Sequence, residues 1–181
     1  LDHSLARLAS IAAACVMAAV VTGCADSTAP RSWEAVESSI ATSFPEVPRI
    51  TTAELAAMLH DPAREVTLLD VREADEYAVS HLLGAARVAS VQEAAALVVA
   101  APGHTTIIAY CSVGYRSAAL VAELRERSTR PIYNLEGSLF RWANEDRPVY
   151  RGSEQVDVVH PFTESWGALL DSHRHAYEPV P

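Results

Sequence analysis

A cysteine, a glycine and an arginine in one short stretch are the residues best suited to chemistry in this sequence. Cys111 ends an apolar run, Gly114 and Arg116 follow in a predicted tight loop, and apolar residues recur at helical spacing from Ser117. A loop between a strand and a helix turns backbone N–H groups inward and favours a negative centre, which lowers the pKa of a thiol. The spacing therefore predicts an activated nucleophile at Cys111, with the fixed charge of Arg116 beside it. The alternative is an inert, buried cysteine before an ordinary turn.

Two predicted strands must hold this loop in place. Residues 107–110 suit a strand covered on both faces, and residues 66–72 form a second apolar run that closes on charged side chains. In open α/β sheets, ligands bind beyond the carboxyl ends of the strands. Arg72, at the end of the second run, is therefore either a substrate contact or the partner of Asp70 in an ion pair.

Capping residues mark the starts of the predicted helices. Thr51 with Glu54 three residues later forms a capping-box pattern, and Ser90 is a suitable cap for a helix over residues 91–100. A short helix is also expected over residues 33–40.

Four segments of the sequence resemble motifs of the rhodanese (sulfurtransferase) family. Residues 111–117 resemble its Cys-x-x-Gly-x-Arg-Ser/Thr loop, and residues 70–72 resemble its Asp-x-Arg motif. Residues 77–85 resemble its Tyr/Phe-x-x-x-His-Ile-Pro-Gly-Ala signature, and residues 135–142 resemble its Leu-x-Gly-Gly…Trp ending. The resemblance covers residues 49–150, the length of one typical domain, and no internal repeat is visible.

Two positions depart from these motifs. Leu83 replaces the usual proline, which should loosen a turn without touching the chemistry, and Ser138 replaces the second glycine. His81 lies in a motif that the family places away from the cysteine. We therefore expect His81 to bond to backbone in a tight turn rather than to act as a general base.

The resemblance implies a fold, an activity and a set of site residues. The fold is α/β, with three layers and a mainly parallel five-stranded sheet flanked by helices. The activity is transfer of a sulfane sulfur from a donor such as thiosulfate to a thiol or cyanide acceptor, through a persulfide on Cys111. Neither a metal nor an organic cofactor is implied. The substrate-binding residues are Ser112, Val113, Gly114, Tyr115, Arg116, Ser117 and Arg72.

Two other functions compete with sulfur transfer. A Cdc25-like phosphatase shares the fold but has five residues between its cysteine and arginine, whereas Cys111 and Arg116 are separated by four. A non-catalytic binding module usually lacks the cysteine that is present here. Glu76, close to the Asp-x-Arg motif, is expected to disfavour anionic donors.

Composition excludes some classes of function. The 181 residues carry a formal net charge of −9, which argues against nucleic-acid binding. All fourteen basic residues are arginine, so lysine-based Schiff-base chemistry is excluded. The three cysteines do not form the pattern of a disulfide framework.

The beginning of the sequence predicts export and membrane attachment. Residues 1–23 combine a positive start with an apolar run too short for a comfortable membrane span, as in a signal peptide. The run ends at Cys24 in a sequence that resembles a bacterial lipobox, which implies lipidation of that cysteine. We expect a cell-envelope lipoprotein, on the periplasmic or extracytoplasmic side, with residues 24–48 as a linker. The alternatives are cleavage after Ala25, which would release a soluble protein, and an uncleaved helical anchor.

The C-terminal extension, residues 151–181, lies outside the family's motifs. Residues 166–170 suit a short helix, and the segment is expected to pack across the domain or to end in a loose polar stretch. It contains His160, His173 and His175, but without accompanying cysteines this spacing only weakly suggests a metal site.

Overall fold

The computed structural model describes residues 32–179, which form the predicted five-stranded parallel sheet flanked by helices. The strand order is β1-β5-β4-β2-β3. These strands are β1 Arg49–Ile50, β2 Val66–Asp70, β3 Ala86–Arg87, β4 Thr106–Tyr110 and β5 Ile132–Leu135. The helices are α1 Trp33–Ser43, α2 Thr52–His60, α3 Ala74–Val79, α4 Val91–Ala100, α5 Tyr115–Arg125, α6 Ser138–Asn144 and α7 Glu164–Gly167. A hairpin of β6 Val149–Arg151 and β7 Glu154–Val156 and a 3₁₀ turn at Ser172–Arg174 complete the fold.

Strand β4 lies at the centre of the sheet and fixes the position of the cysteine. It pairs with β2 on one side and with β5 on the other. Ile107 to Tyr110 have no exposed surface, because helices cover both faces of a parallel sheet. Cys111 follows directly, so it lies at the carboxyl edge of the sheet, where α/β proteins place their ligands.

The predicted helix starts are confirmed. Thr51 Oγ1 accepts a hydrogen bond from the Glu54 N–H at 3.2 Å, and the Glu54 carboxylate accepts one from the Thr51 N–H at 2.8 Å. Ser90 caps α4 through the Glu93 N–H. Each cap satisfies backbone donors that the helix itself leaves unpaired, a gain of about 1 kcal/mol.

The helix expected over residues 33–40 is present as α1 and is packed against the domain. Val36 and Ile40 are buried. Glu37 forms an ion pair with Arg141 of α6, and the Arg141 guanidinium lies 4.6 Å from the centre of the Trp33 ring. This segment falls within the predicted linker, and Trp33–Ser43 is nevertheless packed against the domain.

The C-terminal extension packs across the domain. The Val159 N–H donates to the carbonyl of Arg174 at 2.7 Å, and Leu169 and Leu170 are buried. Asn144 of α6 anchors the segment, because its side chain binds the carbonyl of Leu169 and the N–H of Asp171. The extension therefore lies on the edge of the domain that holds the ends of β4 and β5.

His160 and His175 of the extension take part in local contacts. His175 Nε2 lies 3.1 Å and 3.0 Å from the carbonyl oxygens of Gly167 and Leu170. Within residues 32–179, no cluster of three or more potential ligands could hold a metal ion. Over the same residues, no helix has the length and apolar character needed to cross a membrane. The predicted signal peptide and Cys24 lie outside the described residues.

Candidate active site

The loop after β4 turns backbone groups toward the Cys111 sulfur. Gly114, at the start of α5, has a φ of 107°, a conformation that side chains rarely adopt. A Cβ there would lie 3.4 Å from both Ile40 Cδ1 and the carbonyl oxygen of Leu135. With glycine, the chain turns tightly enough for the Gly114 N–H to donate to Cys111 Sγ at 3.0 Å.

The surroundings of Cys111 favour the thiolate. Burial raises the pKa of this thiol, since the residue is only 1% exposed. The charge of Arg116 and hydrogen bonds from Ser117 and from the Gly114 N–H outweigh burial, so the pKa lies below its usual value. The geometry of the loop therefore favours the thiolate, while a catalytic role of Cys111 stays a prediction.

Arg116 is bound to a buried carboxylate. Its two terminal nitrogens each lie 2.7 Å from an oxygen of Glu76, whose side chain is 1% exposed. Ser112 Oγ donates to Glu76 at 2.7 Å and accepts from Arg116 at 3.0 Å. Burial raises the pKa of Glu76, but the hydrogen bonds from Arg116, the Glu73 N–H and Ser112 lower it by more. The pKa therefore lies below its usual value, and the carboxyl is ionised at neutral pH. The buried Glu76 carboxylate thus neutralises the positive charge of Arg116.

Asn134 on β5 and Ser138 on α6 bind the cysteine loop through side-chain hydrogen bonds. Asn134 accepts a bond from Ser117 Oγ at 2.6 Å and donates to the carbonyl of Gly114 at 3.0 Å. Ser138 Oγ accepts from the Cys111 N–H at 3.2 Å and donates to the carbonyl of Leu135 at 3.0 Å. The serine that replaces the family's second glycine therefore binds the backbone of the cysteine itself.

Arg72 lies in the interior rather than at the site. Its guanidinium has no exposed surface and contacts Asp70 at 2.6 Å. The carbonyl oxygens of Ser80 and Glu76 accept its remaining bonds. Of the two roles that the sequence allowed, the structure shows the ion pair, and the substrate-binding assignment of Arg72 has no support in this geometry.

His81 contacts Tyr77 and Tyr150 rather than the cysteine loop. Its Nδ1 lies 3.1 Å from the carbonyl of Tyr77, and its ring stacks on the Tyr77 ring with centroids 4.0 Å apart. Its backbone pairs with Tyr150 in both directions. This is the turn-forming role that was expected, and it gives no contact with Cys111.

Cys111 opens into a cavity of about 370 Å³. The loop contributes Ser112, Val113, Tyr115 and Arg116 to its lining, while Gly114 and Ser117 support it from the backbone side. The remaining walls come from Ser39 of α1 and from Phe162 and Trp166 of the C-terminal extension. Sequence motifs could not find these three residues, because they lie outside the motifs and reach the site only through tertiary packing.

The fold and the loop together define a class of protein. A model of the rhodanese-like domain family matches residues 51–145, which is more than half of the chain. The chain belongs to the rhodanese-like domain family.

Individual relatives agree with this assignment. The chain is 30% identical over 100 residues to the probable adenylyltransferase/sulfurtransferase MoeZ of Mycobacterium tuberculosis. That match covers 55% of this chain and 25% of the relative, so the chain spans about a quarter of the length of the curated relatives it matches.

Solved structures share the fold. The thiosulfate sulfurtransferase of Pseudomonas aeruginosa superimposes with a TM-score of 0.57 at 19% identity, over 74% of this chain and 26% of that one. The BH2092 protein of Bacillus halodurans superimposes with a TM-score of 0.52 at 18% identity, over 67% of this chain and 89% of that one. At these identities the likeness establishes the fold alone.

Proposed function

We propose that this chain is a sulfurtransferase that carries a sulfane sulfur on Cys111. The observation that supports it most directly is the position of Cys111 Sγ, which faces a cavity and also accepts the Gly114 N–H at 3.0 Å. A thiolate held in this way is both nucleophilic and reachable by a small donor. Membership of the rhodanese-like family, whose relatives include proteins described as sulfurtransferases, is consistent with this chemistry.

The reaction has two nucleophilic steps. The Cys111 thiolate attacks the outer sulfur of a donor such as thiosulfate; a new S–S bond forms, the donor's S–S bond breaks, and sulfite leaves with the electron pair. The acceptor, a thiolate or cyanide, then attacks the outer sulfur of the persulfide, and the Cys111 thiolate leaves. No external oxidant or reductant is consumed. Between the steps, the inward N–H groups of the loop stabilise the persulfide anion.

The buried Glu76 carboxylate favours sulfur transfer over phosphoryl transfer. It already occupies the arginine fork that a phosphate-accepting loop would offer to its dianionic substrate. The spacing of four residues between Cys111 and Arg116 also leaves a smaller loop than that of the Cdc25-like phosphatases.

Mass spectrometry of the Cys111 peptide tests the proposal. After incubation with thiosulfate, this peptide should gain the mass of one sulfur atom, and added cyanide should remove it as thiocyanate. Cys111→Ser should abolish both reactions without loss of folding. Undiminished thiocyanate formation by Cys111→Ser would exclude Cys111 as the carrier. A folded wild type that accepts sulfur from none of thiosulfate, mercaptopyruvate and glutathione persulfide would instead indicate a binding module.

We also propose that the chain is a lipoprotein of the cell envelope, attached through Cys24. The support is the apolar run that ends in a lipobox-like sequence at this cysteine. Two or more acyl chains would anchor the protein stably, since each buried CH₂ contributes about 0.8 kcal/mol. Cys24→Ala should abolish lipidation and release or misprocess the protein, whereas Cys15→Ala should leave the mature product unchanged. A wild type found in the soluble fraction, with an unmodified N-terminus at Asp26, would contradict the anchor.

A further inference from the structure

We infer that the C-terminal extension makes this pocket selective for sulfur compounds that carry an apolar, ring-sized organic group, in preference to small inorganic anions. The inference rests on the proposed sulfur transfer and concerns the substrate class of the same site. Phe162 and Trp166 are its specificity-determining residues, and both lie outside residues 51–145, the part of the chain that matches the family.

Aromatic and aliphatic side chains make up half of the residues that line the cavity around the thiol. Phe162 and Trp166 face the cavity from the extension, and Val113 and Tyr115 face it from the loop. Rings of this kind offer a large, rigid apolar surface and accept an organic group by stacking and by burial of its surface. An inorganic oxyanion gains nothing from such a wall.

The backbone of Phe162 is held in a costly conformation. Its φ is 66°, in the left-handed region that a bulky residue seldom occupies. The buried His160 stabilises this turn, because its Nδ1 accepts the Phe162 N–H at 3.0 Å. The ring is thereby placed over the Arg116 guanidinium, 4.6 Å from its central carbon to the ring centroid. The extension is thus built to present this ring beside the reacting sulfur.

The charges at the site disfavour a dianion. Among the described residues that line the cavity, Arg116 is the one cationic side chain, and Glu76 binds both of its terminal nitrogens. With the Cys111 thiolate, the cluster carries one positive and two negative charges, a net charge of about −1. Repulsion in a partly desolvated site then works against thiosulfate more strongly than against a singly charged or neutral donor.

The size of the cavity leads to the same conclusion. A volume of about 370 Å³ falls within the range of about 300–1,000 Å³ that is typical of pockets for small organic ligands. Thiosulfate, a small inorganic anion, would fill only part of it. An aryl or branched alkyl group attached to the donor sulfur would fill the rest.

A matched pair of donors tests this preference on the full-length protein. Methanethiosulfonate and benzenethiosulfonate carry the same charge and the same transferable sulfur, and differ in a methyl against a phenyl group. With either one, the Cys111 thiolate takes the outer sulfur, the S–S bond breaks and a sulfinate leaves with the electron pair. Relative to the ratio of the two rates with free cyanide in solution, the wild type should favour the phenyl donor in kcat/KM by about tenfold, or about 1.4 kcal/mol.

Variants assign the preference to residues. Phe162→Ala and Trp166→Ala should each bring the phenyl-to-methyl ratio down toward its solution value. Leu83→Ala is the matched control, because Leu83 is 54% exposed, lies outside the pocket lining and should keep the wild-type ratio. Each variant's melting temperature establishes that it is folded. A wild-type preference that survives in both aromatic variants would overturn the role of the extension.

A second measurement separates failure of this inference from failure of the proposed function. N-benzylmaleimide and N-methylmaleimide alkylate Cys111 without any sulfur transfer. In the folded protein, Cys111 should react faster with the benzyl compound, as measured by mass spectrometry of the Cys111 peptide after digestion. If no donor transfers sulfur, the proposed sulfurtransferase is wrong, while the maleimide ratio still decides the selectivity of the pocket. Donor and maleimide ratios equal to their solution values would overturn the apolar pocket even in an active enzyme.

Discussion

The family domain and the segments that flank it contribute differently to one pocket. Residues 51–145 supply the cysteine loop, with Cys111, its N–H donor and the Arg116–Glu76 pair. Helix α1 and the extension supply the opposite walls through Ser39, Phe162 and Trp166. The two proposals thus assign reactivity and selectivity to separate parts of the chain. Membership of the family therefore says more about what Cys111 can do than about which molecule reaches it.

A substitution in helix α1 should have the largest effect on stability. It tests whether α1 is a packed wall of the domain or only a spacer before it. Ile40→Ala should lower the free energy of unfolding by about 2–5 kcal/mol, since Ile40 is 5% exposed and its loss leaves a cavity beside Gly114. Urea denaturation measures this change. Val99→Ala, at a position that is 84% exposed, serves as the control and should be nearly neutral. If Ile40→Ala is equally neutral, α1 is not part of the domain's stable core.

The Glu76 carboxylate provides an intermediate effect, with a defined dependence on pH. Glu76→Gln should cost about 1–3 kcal/mol of stability at pH 7, because it removes a charge-assisted bond to Arg116. Burial raises the pKa of Glu76, but the bonds from Arg116 and Ser112 hold it below the usual 4.5. A lowered folded-state pKa means that the carboxylate stabilises the fold above pH 4.5, and that this stabilisation is lost as the pH falls through the folded-state pKa.

Denaturation of the wild type and Glu76→Gln across this range is the measurement. The difference in stability should be largest near neutral pH and should shrink in acid. A difference that stays constant from neutral pH to below the folded-state pKa of Glu76 would show that the carboxylate's charge is not what stabilises the loop.

Features set by local pattern could be predicted from the sequence. The apolar run at residues 107–110 predicted the central strand, and Thr51 with Glu54 predicted a helix start, because each signal lies within a few neighbouring residues. The replacement of the family's usual proline by Leu83 affects only the turn that contains it. The turn closes through the Ala85 N–H and the carbonyl of Leu82, at 3.0 Å, without the usual proline.

Features that depend on distant contacts could not be predicted. The Arg116–Glu76 pair joins residues 40 positions apart, and nothing near either residue specifies the other. Phe162 follows the cysteine loop by many residues, and its place over Arg116 depends on how the extension folds back across the domain. The two possible roles of Arg72 could be separated only once its burial with Asp70 was known.

Substitution of Arg116 should have the smallest of these effects. It best distinguishes the reactivity of the cysteine loop from the selectivity of the extension. Its positive charge counters the effect of burial on the Cys111 thiol, so Arg116→Ala should raise the pKa of Cys111 and move the pH–rate profile for alkylation to higher pH. At pH 7 the rate should fall by about tenfold, and at high pH, where both thiols are ionised, the two proteins should converge. Arg116→Lys, which keeps the charge but not the fork, should remain closer to the wild type.

Because the Arg116→Ala change acts on the thiolate, the rates with both thiosulfonate donors should fall by a similar factor, unlike the selective loss expected for Phe162→Ala. An unmoved pH–rate profile in Arg116→Ala would make Arg116 a structural partner of Glu76, and a changed donor ratio would mean that reactivity and selectivity are not separable here.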